Sequence, residues 1–133
     1  MNKIEHIGIA VKDLSKAGKT FEQLLGTKAY KTESVESEGV STMFFKVGDV
    51  KIELLQATRE DSAIAKFIEK KGEGIHHIAF DVNSVAEKAA DLKSDDFIVL
   101  NDAPKAGADN KLINFVHPKT TNGVLVELCE DKK

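Results

Sequence analysis

The sequence predicts an α+β fold: two tandem βαβββ modules whose eight strands form a curved, half-open barrel. Three observations carry this expectation. The phrase IEHIGIAV at Ile4–Val11 returns as IHHIAFDV at Ile75–Val82, and His6 falls on His77, 71 positions later. The phrase VKIEL at Val50–Leu54 returns as VLVEL at Val124–Leu128, and Glu53 falls on Glu127, 74 positions later. Between each opening and closing phrase the apolar period changes from two to about 3.6 and back to two, the pattern of strand, helix and further strands.

Taken in order, Ile7, Ile9 and Val11 share one face of an opening strand, and His6, Gly8 and Ala10 the other. Asp13 or Ser15 can cap a helix whose buried stripe is Leu14, Ala17, Phe21, Leu24 and Leu25, with Gly26 as its stop. A strand over Ala29–Ser34 follows, then two strands in VSTMFFKVGDVKIELLQ joined by a turn at Gly48-Asp49. The segment EDSAIAKFIEKKGEG reads as a short amphipathic helix burying Ile64, Phe67 and Ile68, ended by Gly72 and Gly74. The second module opens with Ile75–Val82, then a helix capped by Ser84 with the stripe Val85, Ala89 and Leu92. A strand over Phe97–Leu100, a loop over Asn101–Asn110, and a closing pair at Leu112–His117 and Gly123–Cys129 around the turn PKTTNG complete it. One domain results, with module one at about residues 1–58, a linker helix at about 59–74 and module two at about 75–133.

Composition narrows the function classes. At 133 residues the chain is long enough to bury a core without a metal or disulfide staple, and 41% hydrophobic with 31% charged residues is ordinary for a soluble protein. Its apolar runs are too short to span a membrane, which argues against a membrane partner. Cys129 is the only cysteine, so no internal disulfide forms and a cytoplasmic setting is expected. The net charge is −3 and Arg59 is the only arginine, against the basic, arginine-rich stripe of a nucleic-acid binder.

Strand alternation turns the four repeated polar residues toward chemistry. In VKIEL the apolar Val50, Ile52 and Leu54 face the helix layer, which leaves Glu53 on the opposite face, as His6 is on its own strand. The same holds for His77 and for Glu127 beside Val126 and Leu128. Two imidazoles and two carboxylates in one hollow make a site for a divalent metal, because a buried carboxylate left uncompensated is costly and a cation removes that cost. Such an N₂O₂ set suits an octahedral ion with two adjacent positions open to substrate. His76 is the rival ligand to His77, but it points to the other face, and its counterpart in the first half is Glu5.

With these residues in view, the chain resembles the vicinal oxygen chelate superfamily, and within it the methylmalonyl-CoA epimerases. The resemblance runs over nearly the whole chain. It is most specific in HIGIAVKDL, VKIELL, REDSAIAKFI, GIHHIAFDV and INFVHPKTTNGVLVEL. It implies metal ligation by His6, Glu53, His77 and Glu127, with cobalt or manganese favoured and nickel or zinc compatible. It further implies an acyl-CoA thioester as substrate, and a homodimer. The implied reaction removes the proton α to the thioester of 2-methylmalonyl-CoA and returns it to the opposite face, which needs two bases. Glu127 and Glu53 are the expected pair.

One departure stands out: some epimerases carry a further glutamate after an EGV-like segment, where this chain has Ser41 and Thr42. Arg59, Lys105 and Lys119 are candidate contacts for the coenzyme A tail. His117-Pro118 reads as a strand ending and Cys129 as a packed small residue. The alternatives are lactoylglutathione lyase, whose DPDGY-like ending the chain lacks; an extradiol-type dioxygenase, against which a fourth protein ligand argues; and a metal-free binding or resistance protein.

Overall fold

A computed structural model describes residues 1–132. Its elements run β1 (Lys3–Ala10), α1 (Leu14–Leu25), β2 (Lys31–Val35), β3 (Val40–Val47), β4 (Val50–Ala57), α2 (Ala63–Lys71), β5 (Gly74–Asp81), α3 (Val85–Ser94), β6 (Lys105–Ala106), β7 (Lys111–Val116) and β8 (Val126–Asp131). The expected βαβββ order therefore occurs twice. By compactness the chain divides into His6–His76 and a second unit that joins Met1–Glu5 to the residues from His77 onward.

In the first unit the strands lie in the order β2-β3-β4-β1, with β1 and β4 parallel and the other neighbours antiparallel. A parallel pair cannot be closed by a hairpin, and α1 with the β2–β3 excursion supplies the crossover. Asp13, not Ser15, caps α1 by accepting from the Lys16 N–H. Gly26 ends it in the left-handed conformation at φ 69°, its N–H returning to the Glu22 carbonyl. Leu14, Ala17, Phe21 and Leu25 pack on Val11, Met43, Phe45, Ile52 and Leu54, which share one face of the sheet. Leu24, expected in that stripe, is 71% exposed because it lies one step round the helix from it. On the opposite face, α2 lays Ile64, Phe67 and Ile68 over Val35, Ala10, Val40, Leu55 and Ala57. Ser62 caps α2 and Gly72 ends it, while Gly74 opens β5 rather than closing the helix.

The second unit repeats the plan, with strand order β5-β8-β7-β6 and β5 parallel to β8. Ser84 caps α3, and Val85, Ala89 and Leu92 pack on Val82, Val116, Val126 and Leu128. Two expectations shift here. Phe97–Leu100 forms only a bridge, Val99 to Val116, and the edge strand is instead Lys105–Ala106 within the predicted loop. Beyond that bridge stands Asn114, whose side-chain oxygen accepts from the backbone N–H of Asn101 and whose amide donates to the Asn101 carbonyl. Those bonds hold Asn101 on the Asn114 side chain just past the bridge, and the chain pairs again with β7 at Lys105. The last strand starts at Val126 rather than Gly123. A turn holds the Gly123 N–H on Pro118 and the Val124 N–H on Thr121 before extension begins. No helix among the described residues is long and apolar enough to cross a membrane.

Candidate metal centre

Register places the polar residues. In the first unit Glu53 pairs laterally with Gly8, two positions beyond His6, and with Phe44 on its other side. In the second unit Glu127 pairs with Ala79, two positions beyond His77, and with Phe115 on its other side. Residues paired across a ladder share a face, as do residues two apart on a strand. Each unit therefore sets one imidazole and one carboxylate side by side, on the face opposite α1 in the first and opposite α3 in the second.

The contacts are as close as the register allows. His6 Nδ1 lies 3.1 Å from Glu53 Oε2. His77 Nε2 lies 3.3 Å from Glu127 Oε1. All four residues are buried, with Glu53 4% and Glu127 5% exposed. An imidazole nitrogen beside a carboxylate oxygen in a buried setting is a donor set that a divalent ion of borderline or hard character accepts, and both pairs belong to groups of side chains whose ligand atoms could hold one. The Phe115 ring stands edge-on to His77, with centroids 6.1 Å apart, which limits how the imidazole can turn.

The remaining candidates divide. His76 faces away from its neighbour, packs edge-on against Phe67 at 5.1 Å, and burial pushes its pKa down to about 4. It packs against α2 as a neutral imidazole. His117 closes β7 locally, its Nδ1 accepting from the Lys119 N–H. Arg59 braces the Gly39 turn, with Nε 2.9 Å from Asp61 and a second nitrogen on the Glu36 carbonyl. That contact holds the exposed Asp61 carboxyl below its ordinary value. Lys105 lies over the Phe115 ring at 5.8 Å, on the face that carries Glu127. Cys129 is fully buried with its thiol on the Phe80 carbonyl, and burial raises its pKa, with Glu127 adding to the effect; it is a packed, inert thiol.

Two features escaped the sequence. Glu5 is buried, its carboxylate 3.8 Å from the ammonium of buried Lys111, which also pairs with Asp131. The register pairs Lys111 with Asp131, and nothing in the sequence reading brings Glu5 to them. Thr42, named only for lacking a carboxylate, is 0% exposed with a hydroxyl that has no hydrogen-bond partner among the described residues. Such a hydroxyl costs about 1–3 kcal/mol to bury. Ser41, by contrast, shares a hydrogen bond of 3.1 Å with Ser34.

Comparison with known proteins follows the same lines. Residues 5–115 match the model of the glyoxalase/bleomycin resistance protein/dioxygenase superfamily. The chain is 43% identical over 132 residues to an uncharacterised protein of Bacillus subtilis, covering 99% of this chain and 94% of that one. It is 38% identical over 130 residues to the ethylmalonyl-CoA/methylmalonyl-CoA epimerase of Cereibacter sphaeroides, covering 96% and 97%. A solved structure of Streptomyces coelicolor methylmalonyl-CoA epimerase, a variant in complex with 2-nitronate-propionyl-CoA, superposes with a TM-score of 0.95 at 39% identity, covering 98% of this chain and 95% of that one. With its two βαβββ units and a match over most of its length, the chain belongs to the glyoxalase/bleomycin resistance protein/dioxygenase superfamily, alongside the methylmalonyl-CoA epimerases.

Proposed function

We propose that the protein is a metal-dependent isomerase that epimerises 2-methylmalonyl-CoA, with His6, Glu53, His77 and Glu127 as the ligands of one divalent ion, cobalt or manganese being favoured. The observation that carries this reading is the shared register: in both units the glutamate pairs with the residue two beyond the histidine and lies opposite a phenylalanine. Likeness to epimerases over nearly the full chain supports the substrate.

The chemical obstacle is the weak acidity of the carbon between the thioester and the carboxylate. When bound, a divalent ion acts as a Lewis acid on the thioester carbonyl and neutralises the adjacent carboxylate. Glu127 would take the α-proton, the C–H electron pair passing into the thioester as an enolate, and Glu53, released from ligation and protonated for that step, would return a proton to the opposite face. Burial of both glutamates keeps water from competing for that proton. A homodimer and a cytoplasmic setting belong to the same proposal; light scattering on the purified protein reads the first.

The test is deuterium exchange. Protein loaded in turn with cobalt and manganese is incubated in D₂O with (2R)-methylmalonyl-CoA, and in parallel with the methylglyoxal–glutathione hemithioacetal. Deuterium at C2 with inversion, abolished by chelation, is the expected result. Glu127→Gln should lower the rate by roughly 10²–10⁴-fold, and Glu53→Gln should keep the metal while losing inversion. A Glu53→Gln protein with metal and full epimerase activity refutes the second base. Turnover of the hemithioacetal alone reassigns the protein to lactoylglutathione lyase.

A further inference from the structure

We propose that the Thr42 hydroxyl is a substrate-positioning group, donating a hydrogen bond to an oxygen of the bound acyl moiety. The proposal deepens the acyl-CoA reading above and rests on it.

Thr42 lies on β3 opposite Leu55, and Phe44, two positions on, lies opposite Glu53. Thr42 is thus a diagonal neighbour of Glu53 on the face that also carries His6 and Gly8, at a lateral spacing of roughly 7–8 Å. Gly8 contributes no side chain to that face. On the other side of Thr42 the surface is apolar: Val40, Leu55 and Ala10 pack under Ile64 of α2. The hydroxyl therefore stands at the boundary between a sealed apolar floor and the His6–Glu53 pair. It is wholly buried and bonds to nothing among the described residues.

The fold itself does not require that hydroxyl. The second unit has the same ladder, and the position equivalent to Thr42, opposite Cys129 where Thr42 is opposite Leu55, is occupied by Ile113. Ile113 is buried and packs with Ala79 and Cys129, so an apolar β-branched side chain fills this place in the ladder. Thr42 has the branched shape of valine and differs from it by one polar atom. An O–H in that place can be satisfied by a ligand arriving at the pair beside it. Threonine does not ionise near neutral pH, so the group orients and discriminates without moving the proton. The shared chemistry of its target is an acyl oxygen, and the target is either the free carboxylate or the thioester carbonyl.

The test compares Thr42→Val and Thr42→Ser with the parent protein, reading urea unfolding, affinity for methylmalonyl-CoA by calorimetry, and kcat and KM separately. In Thr42→Val the unfolding midpoint should stay the same or rise, since no bond within the protein is lost. Its kcat/KM should fall about tenfold, the factor expected for one lost hydrogen bond, and Thr42→Ser should restore most of it. A rise in KM at constant kcat places the bond on the carboxylate, whose charge is the same throughout the reaction. A fall in kcat places it on the thioester oxygen, which gains charge. Parental affinity and kcat/KM in Thr42→Val overturn the proposal and leave a hydroxyl that is idle or hydrated. A lowered unfolding midpoint overturns it too, in favour of a structural bond. A parent that turns over the substrate while Thr42→Val matches it refutes the Thr42 assignment alone. A parent that neither binds nor turns over any acyl-CoA refutes the reading beneath it, and the assignment with it.

Discussion

Asn114 decides more of the second unit than any apolar residue near it. It sits on β7 among the side chains that face α3, opposite Leu128, and its amide answers both backbone groups of Asn101 as well as the Phe115 N–H. Replacing it with alanine leaves those part-buried groups without the amide. Asn114→Ala should lose about 2–3 kcal/mol of stability in urea unfolding. A loss below ~0.5 kcal/mol would mean that water substitutes for the amide. At this scale the sequence was uneven. His6, His77, Glu53 and Glu127 were legible because residue type and recurrence mark them. Asn114, Glu5 and the orphan hydroxyl of Thr42 were not, because their significance lies in which atoms stand next to them.

Helix α1 shows how far local chemistry alone carries an element. Its end and most of its buried stripe follow from Gly26 and apolar spacing, the structure chooses Asp13 over Ser15 for its start, and Leu24 lies outside the stripe. The two ends should contribute independently, being well separated. Asp13→Ala forfeits the cap and should cost ~1 kcal/mol. Gly26→Ala forces a β-carbon into the left-handed region with no neighbour within 4 Å, so its cost is conformational alone, again ~1 kcal/mol. Urea unfolding of the double variant should show about 2 kcal/mol, and a markedly different sum would mean that the helix frays as a unit. The edge of the second unit had no such local signal. Phe97–Leu100 has the composition of a strand, yet it pairs with β7 only through the Val99 bridge, Asn101 is held by the Asn114 side chain, and the edge strand is Lys105–Ala106.

For the molecule as a whole, the proposed ion links chemistry to stability. An ion that binds only the folded chain stabilises it by about 2.7 kcal/mol at a hundred times its Kd. Chelation should therefore lower the thermal midpoint, and cobalt or manganese should restore it in the parent. His6→Ala and His77→Ala should each abolish the restoration. If none of the four divalent ions shifts the parent's midpoint, the metal reading fails, and a metal-free binding protein on the same fold becomes the better account.

The sequence by itself determined the duplicated βαβββ plan, the Ser84 cap of α3 and the identity of the four repeated histidines and glutamates. These survive in one dimension because period, residue type and spacing are properties of the chain. Only the tertiary structure decided that each glutamate lies beside the residue two past its histidine, that Lys111 meets Glu5, and that the buried Thr42 hydroxyl, diagonal to Glu53, has no partner among the described residues. Register, burial and hydrogen-bond satisfaction depend on which strands lie side by side. That choice is made by the summed packing of residues far apart in the chain, which no short phrase of it records.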